Sequence, residues 1–272
     1  MNSSFEFGFE LQGRGEVTSQ DIAVGILMFV ISTTAVFLGV ANVFIIHQME
    51  MFHNAFGYFW ASRTVGEIVT NSANAFYAAP ITLIQPTDVP ISWGIVCYIL
   101  TFVFAVSSCL FHNIVSLNRF VAVTYACKYQ QLFSKKNCIT IIIAVVLCVS
   151  PVGAFFFVCI FVDLGTLIRI VYLRKVRKII KDKKFDRDIR FFAQTSVQNV
   201  IMVVASTFVV IVNNRVNVKF GLRLAAFNLL LISQLTNSLA LFVFNPEIRA
   251  RIRIKISEFR GSSLFGHTAT TS

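Results

Sequence analysis

SLNRFVAVTYACKYQQLFSKKN, residues 116–137, begins at the close of an apolar run and turns basic within a few residues. From Ile91 to Leu117 no Asp, Glu, Lys or Arg occurs. Arg119, Lys128, Lys135 and Lys136 then follow with no acidic residue among them. Water does not require such an abrupt border. A bilayer does, because a spanning helix needs about 20 apolar residues and cations collect where it emerges on the cytoplasmic side.

Composition says the same of the whole chain. Of its 272 residues 56% are hydrophobic and 14% charged, with 29 Phe, where a soluble domain carries roughly 25% charge. Mean hydropathy is +0.73. The fold class expected is an all-α integral membrane protein. The first residues hold Glu6, Glu10 and Glu16 against Arg14, the wrong charge for a signal-peptide n-region, so the first helix is expected to serve as its own insertion signal.

Apolar spans are read at Ile22–Ile46, Phe56–Ile84, Ile91–Leu117, Ile139–Ile168, Phe191–Val212 and Leu222–Phe244. The second holds Arg63 and Glu67. The third is closed by Asn118 and Arg119, and the last ends at Asn245 and Pro246. This gives an extracellular N-terminus (1–21), one membrane domain (22–244) and a cytoplasmic tail (245–272). In the tail, EIRARIRIKISEF repeats Ile248, Ile252 and Ile256 every four residues between cations, which predicts an amphipathic helix over 246–260 lying along the inner leaflet.

Charge sets the orientation. Residues 169–190 hold ten Lys or Arg against three Asp, and the tail holds five against two Glu. Both belong inside with 119–137, and the net +11 is the imprint of a cytoplasmic face attracting anionic lipid, with no need of nucleic acid. The stretch 139–168 must therefore cross twice. Each limb then has about 15 residues, about 22 Å at 1.5 Å per residue, against a hydrocarbon core of ~30 Å. A bend at Ser150-Pro151-Val152-Gly153 gives seven helices with the N-terminus outside and the fourth and fifth shortened into a tight hairpin.

NRF (118–120) followed by KYQQLFSKKN (128–137) resembles the nematode serpentine chemoreceptors, in particular the Srx class of seven-transmembrane G-protein-coupled receptors. AFGYFWASRTVGE (55–67), AAP (78–80), FFAQTSVQ (191–198) and FNPEIR (244–249) resemble that family's second, sixth and seventh helices. The resemblance runs from about Leu38 to Arg249. One departure is that VVLCVSPVGAFFFVCIFVDLGTLIRIVYLRK (145–175) passes straight from a fourth-helix-like start to a fifth-helix-like end, without the family's long second outer loop.

The resemblance implies a chemosensory receptor that takes an unknown small molecule from outside and activates a heterotrimeric G protein inside. By family it would sit in the plasma membrane, in sensory cilia, with a receptor dimer as a further partner. It implies a G-protein contact at Asn118, Arg119, Phe120, Lys128 and Tyr129 and a helix-seven end at Asn245, Pro246, Glu247 and Arg249. Arg119 stays charged and offers five donors. Asn118 stands where other receptors have an acid, so the resting state is not expected to rest on that neighbouring acid–arginine pair. On residue type alone Arg119 is equally a snorkelling anchor that sets orientation.

Intramembrane polar residues form a second set: Arg63, Glu67, Asp163, Gln194, Gln198 and Asn237. Arg63 and Glu67 lie four apart on one face and read as a lock inside the bundle, as mutual neutralisation, or as an arginine snorkelling to the nearby interface. Asp163 has no evident partner. The ridges Gln194, Gln198, Asn199 and Ser233, Asn237, Ser238 suit hydrogen bonds between helices.

The six cysteines lie outside the outer loops, so free thiols are expected, with Cys127 open to palmitoylation. His47, His53, His112 and His267 show no metal-ligand spacing, and no nucleotide loop or catalytic triad occurs, so neither an enzyme nor a cofactor is expected. Two rival functions remain. A transporter would account for the intramembrane charges, but the halves show no inverted repeat. A divergent or internally deleted receptor-like protein that no longer signals would account for the short hairpin.

Overall fold

The computed structural model describes residues 12–147, 162–172, 183–213, 220–254 and 257, and among them the chain is helical without strands. Helix α1 (Ser19–Gln48) opens with a capping box: Thr18 accepts from the Asp21 amide and the Asp21 carboxylate accepts from the Thr18 amide. Arg14 sits 2.6 Å from the same carboxylate. Asp21 thereby satisfies an orphan donor and the positive end of the helix dipole together. The buried face of α1 runs Val24, Met28, Ser32, Ala35, Gly39, Asn42 and Ile46, while Ile26, Phe29, Val30, Phe37, Val40 and Phe44 point outward. Along its middle, from Ser32 to Asn42, the buried face is small and polar while large apolar side chains point outward, the pattern of a helix packed in lipid.

The second span is helical throughout in three registers: α2 (Ala55–Ala73), a π-turn (Asn74–Ala78) and α3 (Ala79–Ile84). Pro80 is the cause. It has no N–H to donate and its ring crowds the carbonyl four residues back, and the preceding turn widens to relieve this. Helix α4 (Ile91–Thr124) is followed by α5 (Ala126–Leu132) and α6 (Lys135–Leu147). Residues 162–172 form α7. Helices α8 (Lys183–Asn213) and α9 (Phe220–Phe244) complete the bundle, and α10 (Pro246–Ile254) leaves α9 at 77°.

Helix α2 lies along α4, α1 packs on α2 and α9, and α8 runs beside α9 and touches α4. The α2–α4 crossing is close at Gly66, where a Cβ would stand 2.6 Å from Ser108 Oγ. At the α10 end the core is aromatic: Phe52, Phe56, Phe59, Trp60, Phe111 and Phe191 cluster with Val115, Leu241 and Ile248.

By length and composition Ser19–Gln48, Ile91–Thr124 and Ile189–Val212 can each cross a membrane, and Asn228–Phe244 with the bent Pro246–Ile254 makes a fourth candidate. These are the expected first, third, sixth and seventh spans. Two boundaries differ. Helix α4 does not close at Arg119 but runs on to Thr124, where Tyr125 donates to the Val121 carbonyl, because Val121, Ala122 and Val123 continue the helix without a breaker. Helix α8 begins at Lys183 rather than Phe191, so part of the basic segment rides on it. The bend at Ser150–Gly153, the hairpin built on it, Cys148, Cys159 and residues 258–272 lie outside the described residues. The expected amphipathic helix is helical over its described part, 246–254.

Candidate functional site: a polar core over an aromatic floor

Helix α4 sets Ser108, His112, Ser116 and Arg119 on one buried face, at steps of four, four and three. Arg119 is 8% exposed. Its guanidinium carbon lies 3.5 Å from the centroid of the Phe56 ring on α2 and 5.0 Å from that of Phe191 on α8. The two rings are 5.3 Å apart. A flat, weakly hydrated cation suits such faces, and each contact contributes about 0.5–2 kcal/mol. Arg119 therefore joins the foot of α2 to the foot of α8 through rings.

The neighbouring motif residues diverge. The Asn118 amide and Tyr129 hydroxyl hydrogen-bond each other at 3.0 and 3.3 Å, tying α4 to α5. Phe120 is half-buried and faces α7, where a Cβ on Gly165 would meet its ring at 3.6 Å. Lys128 is exposed on α5. At the end of α9, Asn245 Oδ1 accepts from the amides of Glu247 and Ile248 at 3.0 and 3.3 Å, so it caps α10. Pro246 takes the first helical position, where its missing N–H goes unneeded. Arg249 donates to the terminal carbonyls of α9 at Phe242 and Val243, and Glu247 is exposed. FNPEIR thus builds the corner between α9 and α10.

Deeper in the bundle lies a polar core. Arg63 is fully buried; it does not snorkel. Its Nε is 3.5 Å from Glu67 Oε1, its Nη1 donates to Gln198 Oε1 at 3.4 Å, and its guanidinium lies 4.9 Å from the Trp60 ring. Trp60 a turn before and Glu67 a turn after hold it inward. Glu67 Oε1 also accepts from Asn237 Nδ2 at 2.8 Å. Gln198 Nε2 donates to the Asn237 carbonyl at 3.0 Å.

His112 links this pair to the rest. Its Nδ1 is 2.8 Å from Asn199 Oδ1 and its Nε2 is 3.3 Å from Asn237 Nδ2. A proton on Nδ1 satisfies both contacts, since the first partner accepts and the second donates. Asn199 Nδ2 donates to Ser116 Oγ and to Asp163 Oδ2, each at 2.7 Å. Asp163, expected to stand alone, is thus held by α8. Two further bonds bind the bundle: Asn71 to Gln234 at 2.7 Å, and Asn42 to the Ser238 carbonyl at 2.8 Å. Gln194 is fully buried, and neither of its amide atoms has a hydrogen-bond partner among the described residues.

The network draws on α2, α4, α7, α8 and α9, so displacing any one of them breaks charge-assisted or amide bonds in low dielectric. Arg63, Glu67, Asp163, Gln198 and Asn237 share it, while Gln194 does not join it by any hydrogen bond among the described residues. Sequence reasoning missed His112 and Ser116 as members. Their signal was their register with Arg119 on one helix face. Cys97, Cys109 and Cys138 are free thiols.

This is a multi-pass membrane protein in build, and comparison with known proteins agrees. No curated protein matches the chain. A protein-family model described as Serpentine type 7TM GPCR chemoreceptor Srx matches residues 29–157. The chain is therefore similar to the Srx family of serpentine chemoreceptors over the stretch that carries Arg63, Glu67, His112 and Arg119.

Proposed function

We propose that this chain is a chemosensory G-protein-coupled receptor of the plasma membrane, with its N-terminus outside. A small molecule bound from outside would favour a state in which α8 swings away from α4. A G protein would then meet the uncovered end of α4. The observation that carries this reading is the place of Arg119: it is buried between a ring from α2 and a ring from α8, so outward motion of α8 strips one ring from the guanidinium and uncovers it. Asn118 and Tyr129 would hold α5 in place as the floor of the cavity so formed.

Arg119→Leu is expected to abolish coupling at unchanged surface level, because leucine keeps the helix apolar and the nearby lysines keep its orientation. Arg119→Lys separates a guanidinium contact from a topological anchor. Lysine keeps the charge but lacks the planar fork and its stacking, so coupling should fall in it too. Full coupling in Arg119→Lys, measured beside cell-surface level, would overturn the specific role.

A second reading, a receptor-like protein that does not signal, is favoured by the sequence of 145–175, which lacks the long outer-loop segment that the resemblance would lead one to expect. No output from the unmodified chain, well expressed with several G proteins, would support it.

A further inference from the structure

A groove lies where α1, α9 and α10 meet. Ala41, Phe44, Ile45 and Gln48 of α1, Met49 after it, Phe242 of α9 and Ile248, Arg251 and Ile252 of α10 line a cavity of about 270 Å³. Its polarity is graded. From Ala41 to Gln48 it runs about 10 Å along α1 at 1.5 Å per residue, apolar at the Ala41 and Phe44 end and polar at the Gln48 and Arg251 end. Arg251 Nη1 donates to the Gln48 carbonyl at 3.3 Å; this uses one N–H of a fork that has five. Phe44 is 57% exposed, so the groove opens sideways, toward the surface that α1 turns to lipid.

Two features fix what fits. Because α10 leaves α9 at 77°, α10 runs close to the membrane plane while α1 and α9 cross it, which puts the Arg251 end of the groove at headgroup level and the Ala41 end among acyl chains. Around that end the cations Arg249, Arg251 and Arg253 are all exposed. We infer that the groove is a binding site for one anionic phospholipid, its phosphate beside Arg251 and one acyl chain laid along Ala41, Phe44, Ile45 and Phe242. A zwitterionic lipid would carry its own cation to a cationic rim, whereas an anionic one brings net charge of the opposite sign. The inference stands independently of G-protein coupling.

The test uses the full-length chain in nanodiscs with a phosphatidylserine carrying a photoreactive group on its acyl chain, and a phosphatidylcholine labelled identically. Adducts are mapped by mass spectrometry. Labelling is expected on 41–49 and 242–252, and is expected to exceed that by the choline lipid and to be displaced by unlabelled phosphatidylserine. Arg251→Gln should lower it about fivefold, the worth of one cation at an anionic surface. Ala41→Phe should remove it by filling the apolar end, with helicity and elution volume confirming the fold. Should Ala41→Phe not fold, Arg251→Gln and the headgroup comparison still decide. Equal labelling by the two lipids, no loss in Arg251→Gln, or label spread evenly over all outward helix faces would overturn the site.

Discussion

Arg119 and Arg63 are both buried guanidiniums and are satisfied differently. Arg119 rests on Phe56 and Phe191, of which Phe191 belongs to α8 and moves with it. Losing one ring costs about 0.5–2 kcal/mol, which shifts a two-state equilibrium about two- to thirtyfold. Phe191→Leu should therefore raise ligand-independent output within that range and Phe191→Tyr should not, measured at matched surface level; unchanged output in Phe191→Leu would remove the aromatic latch. Arg63 instead faces Glu67 at 3.5 Å. Arg63→Met leaves a carboxylate unpaired and should cost about 3–5 kcal/mol, while Arg63→Met with Glu67→Leu should recover most of it. Thermal unfolding in detergent reads both, and a double variant no better than the single one would show that the pair does not neutralise itself. Of these two sites the sequence disclosed the charges and their spacing but not their partners. Arg63 and Glu67 are four apart and visibly a pair. Gln198, Asn199 and Asn237 were visible only as polar residues on distant helices, and which of them meets Glu67, His112 or Asp163 depends on helix rotation, which one chain's periodicity leaves open.

Elements were legible where composition alone decides them and less so where geometry does. The uncharged run in α1 and the charge border after α4 read directly from the sequence, whereas α4's extra turn past Arg119 depended on what followed it. The second span is expected as one uninterrupted helix, whereas Pro80 divides it, and the π-turn before α3 follows from how the bundle absorbs the missing N–H. The segment before α1 is expected as an extracellular N-terminus, and its described residues dock on the bundle. Gly15 N donates to the Gln85 carbonyl at 2.9 Å, Arg14 N donates to Gln85 Oε1 at 2.9 Å, and Gln85 itself sits at φ 50°. Gly13 lies so close to Gln85 and Pro86 that a Cβ would overlap their backbone. Gly13→Val is therefore expected to lift residues 12–15 off the α3–α4 loop and to raise protease cleavage there severalfold, with α1 beyond its capped first turn unaffected. Equal cleavage rates in the two chains would mean the docking does not persist in solution.

At the scale of the molecule, the bundle sorts its chemistry by depth. Cations gather at the α10 end, aromatics pack just beneath them around Arg119, and the amide and carboxylate network fills the middle. We propose that the same gradient orients the chain, since a bilayer holds Lys and Arg on the cytoplasmic side, and this makes the basic segment 174–190 the deciding piece. If 139–168 crosses twice, 174–190 lies on the same side as Arg119 and α10; if it crosses once, it lies opposite, and ten cations of 169–190 would stand outside. In the bundle Asp163 of α7 is bonded to Asn199 of α8 and Phe120 of α4 faces Gly165 of α7, so α7 packs near the inner end of α4 at the level of Arg119. That placement suits a chain that leaves α7 toward the cytoplasm. Glycosylation acceptors placed one at a time in 174–190 and in the N-terminal segment should give glycan only on the N-terminal tag. Glycan on both tags would mean a single crossing and would remove the seven-helix count, whereas glycan on 174–190 alone would mean an inverted bundle that puts Arg119 outside, and would remove the G-protein reading.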